Sequence, residues 1–149
     1  MKTMFGLLLL SVLCLQSVET CAQGVVRQKR QPSNEALKKV RDEKEAEATA
    51  QVLATIDSML VLIEAGDVEA LLSRYVYPPD VEQALSEQVT FEMLVQRLKE
   101  KGIERLEAAL REAKVIKPQW NDTLDKAYFE RESKDLIFVQ YKGQWYLRN

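Results

Sequence analysis

From Ser33 to about Ala113 the chain places apolar residues at helical spacing. The clearest stretch follows a polar arm, and its apolar residues are Val52, Ile56, Met59, Leu60 and Ile63. These residues fall on one side of an α-helix, so the pattern predicts a long helix with a single buried face. Ser33 or Asn34 is the expected N-cap. Gly66 is the expected stop, and Asp67 is expected to cap the next helix.

Four shorter helical patterns follow the long one. The first covers residues 68–76 and should end before Pro78-Pro79, because a residue that precedes proline is pushed out of the helical region. Asp80 and Gln83 have capping-box spacing and predict the start of a second short helix. Thr90 should cap a third, and Gly102 should separate it from a last helix that ends near Ala113.

After Lys114 the period changes from helical to alternating. Val115-Ile116 and Trp120 predict a strand edged by Pro118, and residues 126–130 predict a second strand. LIFVQY, Lys142-Gly143 and QWYLR predict a hairpin with a two-residue loop. The expected fold is α+β: a long N-terminal helix and several short helices, followed by a C-terminal antiparallel meander of three to four strands.

A two-residue loop fixes the register of this hairpin, with Gln140 opposite Trp145 and Phe138 opposite Leu147. One face then carries Leu136, Phe138, Trp145 and Leu147 and should pack on the helices. The opposite face carries Ile137, Val139, Tyr141 and Tyr146. We expect that second face to be a homodimer surface, to be covered by the N-terminal helix, or to lie exposed.

The first 22 residues read as a secretory signal. Lys2 precedes an uncharged apolar run from Met4 to Leu15, which is shorter than the ~20 residues that span a bilayer. Thr20-Cys21-Ala22 is a suitable cleavage site. The predicted organisation is therefore a signal peptide at 1–22, a flexible linker at 23–33 and a single α+β domain at 34–149. We expect a periplasmic or secreted protein; the alternative for the apolar run is a buried helix.

Three short motifs suggest processing. Val18 to Cys21 distantly resembles a bacterial lipobox, in which Cys21 would be lipidated and would tether the protein to a membrane. Arg27 to Arg30 resembles a proprotein-convertase site, and Asn121-Asp122-Thr123 matches an N-glycosylation acceptor. The simpler interpretations of these last two are a basic linker and a polar turn.

Composition excludes several function classes. Lysine and arginine number 21 against 23 acidic residues, and they alternate with glutamate along the helices, so nucleic acid is not an expected partner. The chain contains no histidine, which removes the Ser-His-Asp and Cys-His mechanisms. Its only cysteines, Cys14 and Cys21, lie in the predicted signal. We therefore predict no catalytic residue, no metal site and no cofactor.

Three segments together resemble small exported proteins of the NTF2-like (SnoaL-like, cystatin-like) superfamily: Glu64 to Asp67, Tyr75 to Pro78, and Phe138 to Leu147. The resemblance implies a curved antiparallel sheet wrapped around helices into a cone, sometimes with an apolar cavity and often in dimers. Four strands are fewer than such a cone usually has. Enzymes of the superfamily commonly use Asp and His, so this chain without histidine matches the fold without its usual catalytic pair.

Aromatic residues of the sheet region are the candidate ligand-binding residues. Trp120, Tyr128 and Trp145 could line a pocket with Tyr77 near its mouth, which would suit a small apolar ligand. Core packing is the alternative for the same residues. Asp122 and Asp125 could act as an acid/base pair or could form an ordinary turn. The charged arm from Glu35 to Lys44 could bind a partner or lie in solvent.

These patterns favour a non-enzymatic exported module that binds an unknown protein or a small apolar ligand. Two alternatives from other classes stay open. One is a histidine-free NTF2-like enzyme, an isomerase or hydrolase that uses Asp and Tyr in a cone-shaped pocket. The other is a structural envelope component that is lipid-anchored through Cys21.

Overall fold

The structure is a computed structural model that describes residues 33–86 and 88–148. The predicted signal at 1–22, Cys21 and the basic motif at 27–30 lie outside the described residues. Within them the chain forms five helices: α1 (Asn34–Glu64), α2 (Val68–Tyr75), α3 (Pro78–Ser86), α4 (Phe91–Lys101) and α5 (Ile103–Ala113). Four strands follow: β1 (Gln119–Trp120), β2 (Lys126–Phe129), β3 (Leu136–Tyr141) and β4 (Gln144–Arg148). The predicted α+β class is therefore confirmed.

The helix ends follow the predicted caps. Ser33 Oγ accepts a hydrogen bond from the Ala36 N–H at 3.3 Å, which satisfies one free donor of the first turn of α1. At the other end Gly66 has a φ of +72°, and the Asp67 N–H donates to the Leu62 carbonyl at 2.9 Å. This is a Schellman motif, in which glycine adopts the left-handed conformation at little cost. Asp67 Oδ1 then accepts from the Ala70 N–H at 3.0 Å and begins α2.

The start of α3 was predicted wrongly. Pro78 and Pro79 form its first turn, whereas the spacing of Asp80 and Gln83 had suggested a capping box. Proline is suited to the first turn because the N–H groups there have no helical partner anyway. The Tyr77 carbonyl accepts from the N–H groups of Asp80 and Val81, at 3.0 and 3.2 Å. Tyr77 is itself held by its N–H, which donates to the Leu147 carbonyl at 2.8 Å.

The first strand is shorter than predicted. Val115 and Ile116 do not join the sheet, because their N–H groups donate to the carbonyls of Glu112 and Ala113 in the turn that ends α5. Val115 is 85% exposed. β1 consists of Gln119 and Trp120 alone, and these residues pair with β2.

The sheet is an antiparallel meander in the order β1-β2-β3-β4. The register of its last hairpin is the predicted one, with Gln140 opposite Trp145 and Phe138 opposite Leu147. The core face of the sheet packs on α1 and α5, and it consists of Ala127, Phe129, Leu136, Phe138, Trp145 and Leu147, all buried. The predicted buried face of α1 is confirmed, because all five of its apolar residues belong to the same cluster.

The opposite side of the sheet, here called the outer face, carries Tyr128, Ile137, Val139, Tyr141 and Tyr146. Val139 is only 5% exposed, and the other four are half-buried. The Tyr77 ring joins this side: its centroid lies 5.5 Å from that of Tyr141, edge to face. The outer face is therefore partly shielded by its own aromatic side chains.

By length and composition, α1 is the one described helix that could cross a membrane. In this fold the apolar second half of α1 packs against other elements of the domain. Val52, Ile56 and Met59 are fully buried against α5 and the sheet, as in the core helix of a globular domain.

Candidate binding groove

A groove of about 860 Å³ runs between three helices and one end of the sheet. Its walls come from α2, α4 and α5, from the connection between β2 and β3, and from the end of β4. Apolar side chains from these helices and from β3 and β4 form its floor: Leu72, Val76, Leu98, Leu106, Leu136 and Leu147. A concave, mainly apolar surface of this size is typical of ligand sites.

Cationic side chains surround this floor. They are Lys101, Arg105, Arg131, Lys134 and Arg148, while Asp135 is the one acidic residue among the described residues that line the groove. The chain as a whole has a formal net charge of −2. The groove is therefore a local concentration of positive charge on a protein that is slightly acidic overall. We call it the basic-rimmed groove.

Two of these cations are held in place by the fold. Arg131 Nε donates to Glu112 Oε2 at 2.6 Å and its Nη1 donates to the Lys134 carbonyl at 3.2 Å; its side chain is only 12% exposed. Arg148 Nε lies 3.9 Å from Asp80 Oδ2, and its guanidinium carbon lies 5.5 Å from the centroid of the Tyr77 ring. Their charges are thus largely balanced by Glu112 and Asp80.

Lys101 and Arg105 differ from that pair. Both are exposed, and neither forms a salt bridge with any residue in the described part of the chain. They stand on either side of Gly102, where α4 ends and α5 begins. Two cations on adjacent turns repel each other, so an anion bound between them would lower their electrostatic energy.

The wall formed by α4 is loosely packed. Phe91, Leu94, Val95 and Leu98 share one side of the helix, but each is only half-buried. None of the eleven residues of α4, all of them described, is fully buried. Met93 is 44% exposed. In contrast, α5 buries Ala109 and Leu110 completely or nearly so. The groove therefore lies beside a helix whose apolar side chains are incompletely packed.

The four aromatic residues predicted to line a single pocket are separated. Trp120 and Trp145 lie on the core face with their rings edge to face at 5.6 Å, and Trp145 Nε1 donates to Gln51 Oε1 of α1 at 3.2 Å. Tyr77 and Tyr128 belong to the outer side of the sheet. None of the four is among the residues that line the basic-rimmed groove. Core packing accounts for Trp145, which is 4% exposed.

Asp122 and Asp125 lie in the turn between β1 and β2. Asn121 organises this turn: its Oδ1 accepts from the N–H groups of Asp125 and Lys126 at 3.1 and 3.0 Å, and its Nδ2 donates to Asp125 Oδ1 at 2.5 Å. The bond that Asn121 Nδ2 donates to the carboxylate, together with one from Thr123 Oγ1, lowers the pKa of Asp125. Asp122 is fully exposed. The interpretation of Asn121-Asp122-Thr123 as a polar turn is confirmed. The side-chain amide of Asn121, which would be the glycosylation acceptor, is fully used in local hydrogen bonds.

The groove itself was not predicted from the sequence. Its lining residues are spread between Leu72 and Arg148 over five elements and one connection, and Lys101 and Arg105 stand among glutamates that make them look like part of a solvated helix face. One weak signal was present. Lys101 and Arg105 are like charges four residues apart, next to Leu98 and Leu106, whereas opposite charges at this spacing are the stabilising arrangement.

No protein family, curated protein or solved structure matches this chain.

Proposed function

We propose that this protein is an exported, non-enzymatic binding module and that the basic-rimmed groove is its binding site. The groove is the observation that carries the proposal. It combines an apolar floor with a small number of charged groups around it, which is the composition of sites that hold a ligand by burial and orient it by polar contacts. The sequence patterns indicate aromatic residues as the candidate site, whereas this proposal places the site in the groove.

The non-enzymatic character rests on the chemistry of the domain. Residues 23–149 contain neither histidine nor cysteine, so a general base or nucleophile would have to be a carboxylate, Tyr, Lys or Ser/Thr. Asp122 and Asp125 are committed to a turn, and hydrogen bonds keep Asp125 ionised to lower pH than an ordinary aspartate. Asp135 at the groove accepts from the Arg131 backbone N–H at 3.2 Å. These arrangements support binding rather than proton transfer.

Binding of a neutral apolar probe tests the proposal. Nile red should gain fluorescence on entering the groove of the wild-type protein. Ala108 lines the groove and is exposed, so Ala108→Phe should obstruct it and weaken Nile red binding about fivefold or more, since a single pocket contact contributes about 1–3 kcal/mol. Ala54→Phe is the matched control, because Ala54 is also an exposed helical alanine and lies outside the groove. No gain with the wild type, or equal binding by both variants, would contradict the proposal.

Export is tested separately from binding. Mass spectrometry of the mature protein should show an N-terminus at Gln23, as expected for cleavage after Ala22. A mature N-terminus at an acylated Cys21 would instead support the lipid-anchored alternative. Retention of Met1 would contradict export altogether.

A further inference from the structure

The lining of the basic-rimmed groove indicates which class of ligand it binds; the inference that follows rests on the proposed function. We propose that the groove binds a free single-chain anionic amphiphile: a fatty acid, with its hydrocarbon chain on the leucine floor and its carboxylate between Lys101 and Arg105. The two ends of such a molecule match the two kinds of surface that the groove brings together.

The floor selects the chain. Leu98 and Leu106 are half-buried beside these two cations, while Leu136 and Leu147 are buried at the sheet end of the groove. A hydrocarbon chain placed along this surface would cover apolar area that the protein leaves in contact with water. Because burial of apolar surface is proportional to area, each further methylene in contact with the floor should strengthen binding.

The rim selects the head group. Of the five cations at the groove, Arg131 and Arg148 have carboxylate partners within the protein, at 2.6 and 3.9 Å. Lys101 and Arg105 are exposed and form no salt bridge with a described residue. A carboxylate between them would relieve their mutual repulsion and would not have to displace an existing partner.

The geometry disfavours a peptide as the occupant. An extended peptide could pair with the free edge of β4, but Val76 and Tyr77 already occupy part of that edge, and the Tyr77 N–H donates to the Leu147 carbonyl at 2.8 Å. The leucine floor offers no backbone partner for the N–H and C=O groups of a peptide. The chain's own linker at 23–33 is also unsuitable, because Arg27, Lys29 and Arg30 would be repelled by the rim.

Isothermal titration calorimetry with fatty acids of increasing length tests the chain. Affinity should rise about fourfold for each added methylene from octanoate to dodecanoate, since one buried methylene contributes a factor of this size. 1-Dodecanol, which has the same chain and no charge, should bind about five- to tenfold more weakly than dodecanoate, and added salt should reduce that difference. Equal affinity for the acid and the alcohol would overturn the inference while leaving the proposed function intact.

Charge-reversal variants test the head group. Lys101→Glu combined with Arg105→Glu should weaken dodecanoate binding by about tenfold or more and leave 1-dodecanol binding unchanged. The matched control is Arg97→Glu combined with Lys99→Glu, which changes the net charge equally on exposed residues outside the groove. If both double variants weaken dodecanoate alike, the carboxylate responds to overall charge, and the assignment to Lys101 and Arg105 is wrong.

The wild type and the same double variants distinguish two other classes of occupant. Sedimentation with vesicles of anionic phosphatidylglycerol tests a membrane surface, and titration with an acidic amphipathic helical peptide tests a protein segment. Either one binding in a Lys101- and Arg105-dependent manner, with no binding of dodecanoate, would overturn the fatty-acid assignment. Absence of binding by dodecanoate, 1-dodecanol and Nile red together would instead contradict the proposed function itself.

Discussion

Arg131 links the connection between β2 and β3, which lines the groove, to α5. Its guanidinium bonds Glu112 of α5 and the Lys134 carbonyl, and the Asp135 carboxylate accepts from its backbone N–H. We expect Arg131→Ala to lower the free energy of unfolding by about 1–2 kcal/mol, because a charged hydrogen-bonding group with little solvent exposure is lost. Urea denaturation measures this change.

Lys117→Ala provides the comparison for Arg131. The Lys117 side chain is 85% exposed, and its Nζ lies 3.6 Å from Glu45 Oε1. A pair this exposed contributes little, so the variant should stay within about 0.5 kcal/mol of the wild type. Equal losses from the two substitutions would show that the burial of Arg131 does not matter for stability.

Asp125 predicts how stability responds to acid. Hydrogen bonds from Asn121 and Thr123 lower the pKa of this carboxyl in the folded protein. A lowered folded-state pKa contributes stability that is present above the unfolded pKa, about 3.9, and is lost as the pH falls through the folded value. The stability difference between the wild type and Asp125→Asn should therefore be constant at neutral pH and shrink below about pH 4.

Unfolding measured by circular dichroism across the acid range checks this expectation. Asp122→Asn is the control, because it removes a fully exposed carboxylate from the same turn. A difference between wild type and Asp125→Asn that stays constant through the acid range would contradict a role for the ionised form of Asp125.

The loop between β3 and β4 shows how a turn fixes the register of an element. Lys142 and Gly143 have φ values of 51° and 82°, and both are therefore in the region of positive φ that a tight two-residue hairpin requires. Gly143→Ala should cost about 1 kcal/mol, because a side chain disfavours this conformation. Lys142→Asn should be neutral or stabilising, since asparagine tolerates it better than lysine. Thermal unfolding of the two variants measures both effects, and a stabilising Gly143→Ala would contradict the assignment.

The α4 helix should open locally more readily than α1. Its apolar side chains are only half-buried, whereas Val52, Ile56 and Met59 of α1 are completely buried. Local opening is easiest where few apolar contacts are lost, so amide hydrogens of residues 91–101 should exchange faster than those of residues 52–63. Hydrogen exchange followed by mass spectrometry measures this, and dodecanoate should slow exchange in α4. Equal protection of the two segments would contradict the expectation.

At the level of elements, local signals predicted most of the fold. Ser33, Asp67 and Thr90 cap their helices as expected, and the hairpin register follows from its two-residue loop. The two errors have one origin. Both lie at helix ends: α2 does end before Pro78-Pro79 as predicted, but the same prolines also begin α3, ahead of the start predicted at Asp80. Val115, interpreted as a strand former, instead donates to the Glu112 carbonyl in the turn that ends α5.

The groove belongs to the whole molecule and could not be predicted in the same way. Leu72, Leu98 and Leu147 each appear in the sequence as ordinary members of an apolar face, and only the packing of their elements places them around one concavity. The aromatic residues chosen from sequence are conspicuous by type, but their neighbours are fixed by the sheet: Trp145 faces α1, and Tyr128 faces the opposite side. Residue type therefore did not indicate the groove, which only the tertiary arrangement shows.

A homodimer that forms through the outer face is the remaining expectation about the whole molecule. Ile137 lies between Tyr128 and Arg148 on this face, so Ile137→Glu should shift a dimer to monomer by burying an unpaired charge at the contact. Lys126 and Lys142 would bring like charges together, so salt should strengthen the dimer. Leu37→Glu, on the exposed arm of α1, is the control in multi-angle light scattering. A wild-type protein that stays monomeric at high concentration contradicts the dimer, and disruption by Leu37→Glu alone would assign the contact to the arm instead.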